Sequence, residues 1–394
     1  MNEYLNNGKE IIRKLKSEGY EAYFVGGFVR DKLLGEKSDD IDITTNALPE
    51  QLTGLFKRVK DTGRNFGGVT VLIDDYKYEV TTFRLEGAYK NHRFPEEVSF
   101  SKNVNDDLQR RDFTMNSLIM NEHEEIFDYY NGLYDIENKL IRTINNPYER
   151  FNEDSLRILR AFRFVSKLGF DIEEETLEAI KHSKDLLGSL AIERVMVELD
   201  RIFKGDYQKK AIKYMVATGV SKVLYGIDEG LKFISEIDEH IYPIEMFIIS
   251  FILGEQSDKW RFSNNNLRLI EQVKNLHEVT RDDEFNKFII FSNKLDACLL
   301  TNRISVILGY KDQKDEIMRM YKEMPIMDVC DLKFKGQDIL QLTTLHNRRL
   351  IALIIDDLLF NVIMGIMPNE YGILKEFSLK RVDELQKEMG DTNE

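Results

Sequence analysis

Cysteine is almost missing from this chain: 394 residues carry two, Cys298 and Cys330, in unrelated surroundings and without metal-ligand spacing. That excludes a disulfide framework and a zinc-ribbon type of site, and points to a cytoplasmic, thiol-tolerant setting. Proline is scarce too, six in all, and no Gly/Ser-rich tract interrupts the chain. No disordered linker therefore marks a domain boundary. No apolar run is long enough to span a bilayer, and the opening MNEYLNNGKEIIRKLKSEGY is charged and helical in pattern, so neither a membrane partner nor a signal peptide is expected. An excess of basic residues is likewise absent. With 55 Lys and Arg against 69 Asp and Glu, the net charge is −14. This rules out a protein that coats nucleic acid indiscriminately, but leaves room for a nucleic-acid substrate held on a local basic strip.

What is present divides into two halves. Up to about Leu140, short strands alternate with helices: EAYFVGG is a strand ending in a glycine turn, FVRDKLLG a helix stopped by Gly35, DIDITT a second strand, and GVTVLIDDYKYEVTTF a hairpin turning at Asp74 and Asp75. From about Pro147 the strand signals fade. ERFNEDSLRILRAFRFVSKLG, EETLEAIKHSKDLLGSL, AIERVMVELDRIFKG and YQKKAIKYMVATGV all place apolar residues three and four apart, and the rest continues in that style. The expected fold is an α+β N-terminal domain followed by an all-α remainder, without internal repeats.

Three stretches of the first half carry chemistry. In FVGGFVRD, Gly26 and Gly27 stand between a strand and a helix, where backbone N–H groups make an anion site and Arg30 adds a cation one turn on. A tight turn with a surface arginine would give the same pattern. In KSDDIDITT, Asp40 and Asp42 are two apart and share one face of a strand, while Ile41 and Ile43 imply that the other face is buried. Two carboxylates so placed repel unless a divalent cation lies between them, and Mg²⁺ is content with one or two carboxylates plus phosphate oxygens and water. Glu79, in KYEVTTFR, supplies a third acid on a strand able to pair beside the first. In DLQRRDFTMNSLIM, Arg110, Arg111 and Asp112 head an amphipathic segment. Arg111 suits phosphate or ribose oxygens, and Asp112 and Asn116 are one helical turn apart. An internal Arg–Asp pair on a helix is the alternative there.

RFNEDSLRILRAFRF reads as a helix with Glu153, Asp154, Arg157, Arg160 and Arg163 on one edge and Leu156, Ile158, Leu159, Phe162 and Phe164 on the buried side. A solvated charged face would also look like this. Asp154 and Arg157, at i and i+3, present an acceptor beside a donor fork. Cytosine and adenine each offer an amino donor next to a ring acceptor, so Asp154 can accept from the first while Arg157 donates to the second. Uracil and guanine put a carbonyl where the amino group should be, leaving two acceptors face to face at a cost of roughly 1–3 kcal/mol per unpaired group.

Taken together, GGFVRD, DDIDITT, YEVTTFR, DLQRRDFTMNS, EDSLR and ERVMVELDRIF occur in the order found in the class II tRNA nucleotidyltransferases, the bacterial-type CCA-adding enzymes, and the sequence resembles that family closely to about residue 205. Beyond it LKFKGQDILQL is the clearest echo. The resemblance implies a DNA polymerase beta-like nucleotidyltransferase head over residues 1–145, a helical neck carrying a base template over 146–205, and a helical body and tail over 206–394 that hold tRNA. It implies Asp40 and Asp42 as Mg²⁺ ligands with Glu79 as a further catalytic carboxylate. Gly26, Gly27 and Arg30 would hold the triphosphate of ATP or CTP, with Arg111, Asp112 and Asn116 on ribose and phosphates. Asp154 and Arg157 would form the protein template, with Arg160 and Arg163 completing the pocket.

The same resemblance assigns a mobile lever to RLEGAYKNHRFPEEV, Arg84 to Val98, which shifts the template as the tRNA end grows. Ser117 stands where relatives commonly have alanine, a small departure. None of the six histidines is followed by aspartate, so the phosphohydrolase module of some relatives is not expected. A CC-only enzyme, a bacterial poly(A) polymerase and a tRNA-binding protein without catalysis stay open as alternatives, and so does a homodimer.

Overall fold

The first half of the chain builds a seven-stranded mixed sheet. The structure, a computed structural model, describes residues 2–38, 40–63, 67–86, 89–90, 94–95, 98–342 and 348–391. After helix α1 (Asn2–Ser17) come β1 (Ala22–Val25), α2 (Gly27–Leu33), β2 (Ile41–Thr45), α3 (Pro49–Leu55), β3 (Val59–Gly63), β4 (Gly68–Ile73) and β5 (Tyr76–Thr82). Then follow β6 (Arg84–Glu86), β7 (Tyr89–Lys90), β8 (Phe94–Pro95), β9 (Val98–Phe100), α4 (Val104–Gln109), β10 (Ile119–Met120), β11 (Ile126–Phe127), α5 (Gly132–Glu137) and β12 (Leu140–Ile141). The sheet order is β11-β10-β1-β2-β5-β4-β3, with β2 and β5 parallel and the other neighbours antiparallel. The β4–β5 hairpin turns where the sequence places it, with Asp74 at φ 51°.

Alternation decides which side each residue takes. Phe24, Ile41, Ile43, Val69, Val71, Tyr78 and Val80 pack with Ile11, Ile12 and Leu15 of α1 and with Phe28 and Val29 of α2. Val25 and Ile119 join Phe83, Val104 and Leu108 in a second, smaller core. The β6–β9 pair brackets the segment read as a lever, Arg84 to Val98. Its residues 87–88, 91–93 and 96–97 lie outside the described residues, and with them Gly87, His92 and Arg93.

The predicted helical remainder follows: α6 (Pro147–Glu153), α7 (Leu156–Leu168), α8 (Glu174–Ser183), α9 (Ile192–Phe203), α10 (Gln208–Ala217), α11 (Val220–Val223), α12 (Asp228–Glu236) and α13 (Pro243–Leu253). A two-residue strand, β13 (Asp171–Ile172), pairs in parallel with β12. The apolar α13, PIEMFIISFIL, is buried rather than membrane-spanning at eleven residues. No described helix is long and apolar enough to cross a membrane. The chain divides into two compact units, Met1–Arg261 and Phe262–Glu394. The described residues of the second form helices from α14 (Asn264–Thr280) to α20 (Tyr371–Asp391), with their own core around Phe334, Ile354, Leu358 and Leu374.

Candidate active site

Gly26 follows β1 with φ 74° and ψ −134°, a conformation that side chains other than hydrogen rarely adopt. A Cβ there would also stand 3.1 Å from Arg111 Nη1 and 3.7 Å from Asp42 Oδ2. The turn thus brings backbone, arginine and carboxylate to one point, with Gly27 opening α2. Asp42 lies on β2, directly opposite Glu79 of β5 in the parallel register. Burial, with Glu79 and Asp40 adding to it and Arg111 opposing, pushes the Asp42 carboxyl up to about 6.

Asp40 differs from expectation: β2 begins at Ile41, so Asp40 is an exposed residue immediately before the strand. The reason is local. The Ile41 N–H is taken by the Tyr4 hydroxyl at 3.0 Å, and the Asp40 carbonyl accepts from Ser38 Oγ at 2.9 Å.

The segment after α4 is not the continuous amphipathic helix expected. α4 ends at Gln109 and a 3-10 turn follows at Thr114–Asn116. The fully buried Asp107 anchors this stretch, accepting from Arg110 Nε at 2.9 Å, Arg111 Nη2 at 3.1 Å and Thr44 Oγ1 at 3.1 Å. Burial disfavours its charge, but the two guanidiniums prevail and lower its carboxyl below the ordinary range. Asp112 and Asn116 do meet: Asn116 Nδ2 donates to Asp112 Oδ1 at 2.9 Å. Asp112 Oδ2 accepts from Arg160 Nε at 2.8 Å and also pairs with Nη2. Although burial works against its charge, Arg160 and the Asn116 and Phe113 N–H groups hold the Asp112 carboxyl well below the usual carboxylate range.

Arg30 is not a surface cation either. It is 3% exposed, donates from Nε to Asp31 at 2.8 Å and from Nη1 to Asn116, and lies over the Phe164 ring at 5.1 Å.

The stretch predicted as one arginine-edged helix is two. Asn146 caps α6 by accepting from the Tyr148 N–H at 2.9 Å. At Asp154 the backbone leaves the helix, φ −137° and ψ 100°, and Asp154 Oδ1 accepts from the Leu156 N–H at 3.2 Å as α7 begins. A short acidic side chain competing for backbone N–H groups is a common cause of such a break.

Asp154 Oδ2 accepts from Arg194 Nη2 at 3.2 Å. Arg157, 6% exposed, spends its guanidinium inside the protein: Nη1 on the Arg150 carbonyl (2.9 Å) and Glu153 (2.8 Å), Nη2 on the Arg110 carbonyl (2.9 Å). Arg163 pairs with the buried Glu198 at 3.3 Å and lies 4.6 Å from the Phe164 ring. Burial and the neighbouring Arg160 bring its guanidinium down to about 10.

These groups converge on one cavity of about 1050 Å³, lined by Gly26, Gly27, Arg30, Asp40, Asp42, Arg111, Asp112, Asn116, Asp154, Arg157, Arg160 and Arg163. Glu79 does not line it, but lines a second cavity of about 330 Å³ that shares Asp42, Arg110 and Arg111 with the first. Among the described residues no three His, Cys, Asp or Glu side chains form a ready metal cluster. Two carboxylates at the edge of an open, arginine-lined cavity nonetheless fit Mg²⁺, which completes its shell with phosphate and water. Arg111 Nε and Arg194 Nη1 are buried without a hydrogen-bond partner among the described residues.

The sequence reading passed over Asp107, Arg194 and Glu198. The signal for Asp107 was its position three and four residues before Arg110 and Arg111. For Arg194 and Glu198 it was their i, i+4 spacing in IERVMVELD, with both polar residues beside apolar ones.

Residues 22–142 match the Poly A polymerase head domain family, residues 169–228 the "Probable RNA and SrmB- binding site of polymerase A", and residues 255–378 the tRNA nucleotidyltransferase domain 2. The CCA-adding enzyme of Limosilactobacillus reuteri is 32% identical over 393 residues, covering 96% of each chain. That of Anoxybacillus flavithermus is 34% identical over 397 residues, covering 96% of this chain and 98% of its own. The Bacillus stearothermophilus CCA-adding enzyme in complex with CTP superposes with a TM-score of 0.84 at 29% identity, over 98% of this chain and all of that one. The chain belongs to the bacterial-type CCA-adding tRNA nucleotidyltransferases.

Proposed function

We propose that this protein adds C, C and A, without a nucleic-acid template, to the 3′ end of tRNA from CTP and ATP, releasing pyrophosphate in the cytoplasm. The observation that carries the reading is the single cavity in which the Asp40 and Asp42 carboxylates, the glycine turn and the Asp154/Arg157 pair meet. The proposed division of labour gives residues 1–145 the nucleotidyl transfer, 146–205 the base template, and 206–394 the grip on tRNA.

The tRNA 3′-hydroxyl oxygen attacks the α-phosphorus, the bond from that phosphorus to the bridging oxygen breaks, and pyrophosphate leaves. Asp40 and Asp42 are the residues that would hold Mg²⁺, which when bound acidifies the hydroxyl and offsets charge on the attacking and leaving oxygens. Glu79, one strand over, reinforces the negative field at Asp42. Gly26 and Gly27 let the triphosphate approach the backbone, and Arg111 adds a planar donor beside them. The Asp112–Asn116–Arg160–Arg30 network fixes the floor on which ribose rests.

Asp154, which as a carboxylate can only accept, takes the amino group of C or A, while Arg157 supplies the donor for the ring acceptor. With U or G, carbonyl faces carboxylate, and an unpaired group in the closed cavity costs about 1–3 kcal/mol. Because its terminal nitrogens are held by the Arg150 and Arg110 carbonyls and Glu153, Arg157 must loosen part of this set to reach a base.

The deciding experiment extends three tRNA transcripts, ending before, within and after CC, with each NTP and Mg²⁺, and reads products at nucleotide resolution. Addition of C, C, A and then arrest is expected. Arrest after CC would make this a CC-only enzyme, a long A-tail a poly(A) polymerase, and binding without addition a tRNA-binding protein.

A further inference from the structure

The base-reading carboxylate is held only in part by the helix that carries the arginines. Asp154 stands in the non-helical break between α6 and α7. One of its oxygens accepts from the Leu156 N–H and the other from Arg194 Nη2, each at 3.2 Å. Arg157, three residues on, turns its terminal nitrogens to Arg150, Glu153 and Arg110 instead. The cation beside Asp154 therefore comes from α9, a different helix, which lines the same cavity. One turn along α9 from Arg194, Glu198 holds Arg163 in the same way. α9 thus forms a supporting layer behind two of the residues that line the cavity.

We propose that Arg194 is a positioning residue for base choice: its guanidinium holds the Asp154 carboxylate in the orientation that accepts from the amino group of C or A, without itself touching a reacting atom. The inference rests on the CCA-adding reading above. A carboxylate discriminates only if its acceptor edge is fixed, because a carboxylate free to rotate can turn away from the carbonyl of U or G and admit it. A charge-assisted bond from a planar fork supplies that restraint, and the Leu156 N–H alone leaves the second oxygen loose. Nη1 of Arg194 is buried without a hydrogen-bond partner among the described residues, and the ion pair of this guanidinium is with Asp154.

The test measures kcat and KM for CTP and UTP on a full-length tRNA transcript ending before CC, using the intact chain. Arg194→Ala and Arg194→Met are compared with wild type, the methionine filling the space without a donor. The preference for CTP over UTP is expected to fall about tenfold or more in both, through a lowered KM for UTP together with a raised KM for CTP. Arg194→Lys, which restores a cation, is expected to recover part of it. Gly230→Ala, remote from the cavity and destabilising by overpacking, serves as the control for lowered stability and keeps wild-type preference. Retained preference in whichever of the Ala and Met variants folds would overturn the proposal, and so would failure of both to fold, since Arg194 would then serve the fold alone. If wild type itself adds no nucleotide, the parent reading falls. If Asp154→Ala relaxes base choice while both Arg194 variants keep it, only the positioning role falls.

Discussion

Asp42 and Glu79 face each other across the parallel pair β2 and β5, on strands joined through a hairpin and a helix rather than a tight turn. Two acids at one level of a sheet repel, and Glu79 adds to the rise in the Asp42 carboxyl that burial chiefly causes. In the proposed function, a cation held by Asp40 and Asp42 would offset this repulsion. Asp42→Ala is expected to lower nucleotide transfer by about a thousandfold or more, the order lost when charge stabilisation at the reacting centre is removed, with tRNA binding intact. Glu79→Gln, which removes a neighbour rather than a ligand, is expected to raise the Mg²⁺ needed for half-maximal rate by about 10–100-fold. Transfer rates across a Mg²⁺ titration, with a gel-shift assay for tRNA, separate the two. Substantial transfer by Asp42→Ala would contradict the metal assignment.

The template pair makes a different prediction. Asp154→Ala combined with Arg157→Ala removes both the acceptor and the donor proposed to read the base. The double variant is expected to incorporate U and G alongside C and A, with discrimination reduced by about ten- to a hundredfold, the equivalent of one or two polar groups no longer left unpaired. Product sequencing from a transcript supplied with all four NTPs reads this out. Unchanged selectivity would sink the template reading.

How much of this was legible beforehand depends on the range of the interactions. The glycine turn at Gly26 and the β4–β5 hairpin follow from local turn chemistry, and the sheet face taken by Asp42 and Glu79 from strand alternation. The pairing of β2 with β5 is instead a long-range choice that alternation only permits. The commitments of the arginines are long-range as well. Arg30 finds Asn116 86 residues away, Arg160 finds Asp112 48 away, and Arg157 finds the Arg110 carbonyl 47 away. Periodicity shows that such side chains share an edge and says nothing of which distant group satisfies them. The break at Asp154 was hidden for the opposite reason. The apolar spacing runs through it undisturbed, and only the competition of one carboxylate for a backbone N–H interrupts the helix.

The Asp112–Arg160 pair links stability to pH. Because the folded-state carboxyl of Asp112 lies below its unfolded value of about 3.9, the unfolded chain binds the extra proton. The contribution is fully present above that unfolded value and is lost as pH falls below it toward the folded one. Asp112→Asn keeps the shape but loses the charge and one of the two acceptor oxygens that Asn116, Phe113 and Arg160 use. It is expected to melt below wild type at pH 7 and pH 5, with the gap narrowing as pH drops from 4 toward 2. Thermal melts at those pH values check this. A gap that stays constant below pH 4 would show that the charge of Asp112 does not contribute.

Glycine offers a test of the packing itself, since two helical glycines make opposite predictions. Gly54 lies within α3 and a Cβ there would meet nothing within 4 Å. Gly54→Ala restricts the unfolded chain and gains helix propensity, so it is expected to stabilise by up to about 1 kcal/mol. Gly230 is in α12, where α13 crosses so closely that a Cβ would stand 2.5 Å from the Ser250 Cα and nearer still to its hydroxyl. The same propensity gain applies there, but the backbone of α13 has to move away, and overpacking of that kind costs about 1–3 kcal/mol. Gly230→Ala is therefore expected to lower the melting temperature while Gly54→Ala raises or keeps it, both with unchanged CTP-over-UTP preference. Since the obstacle is largely the backbone of residue 250, Ser250→Ala added to Gly230→Ala is expected to restore only part of the loss. Full recovery in that double variant would place the clash in the hydroxyl rather than in the helix–helix approach.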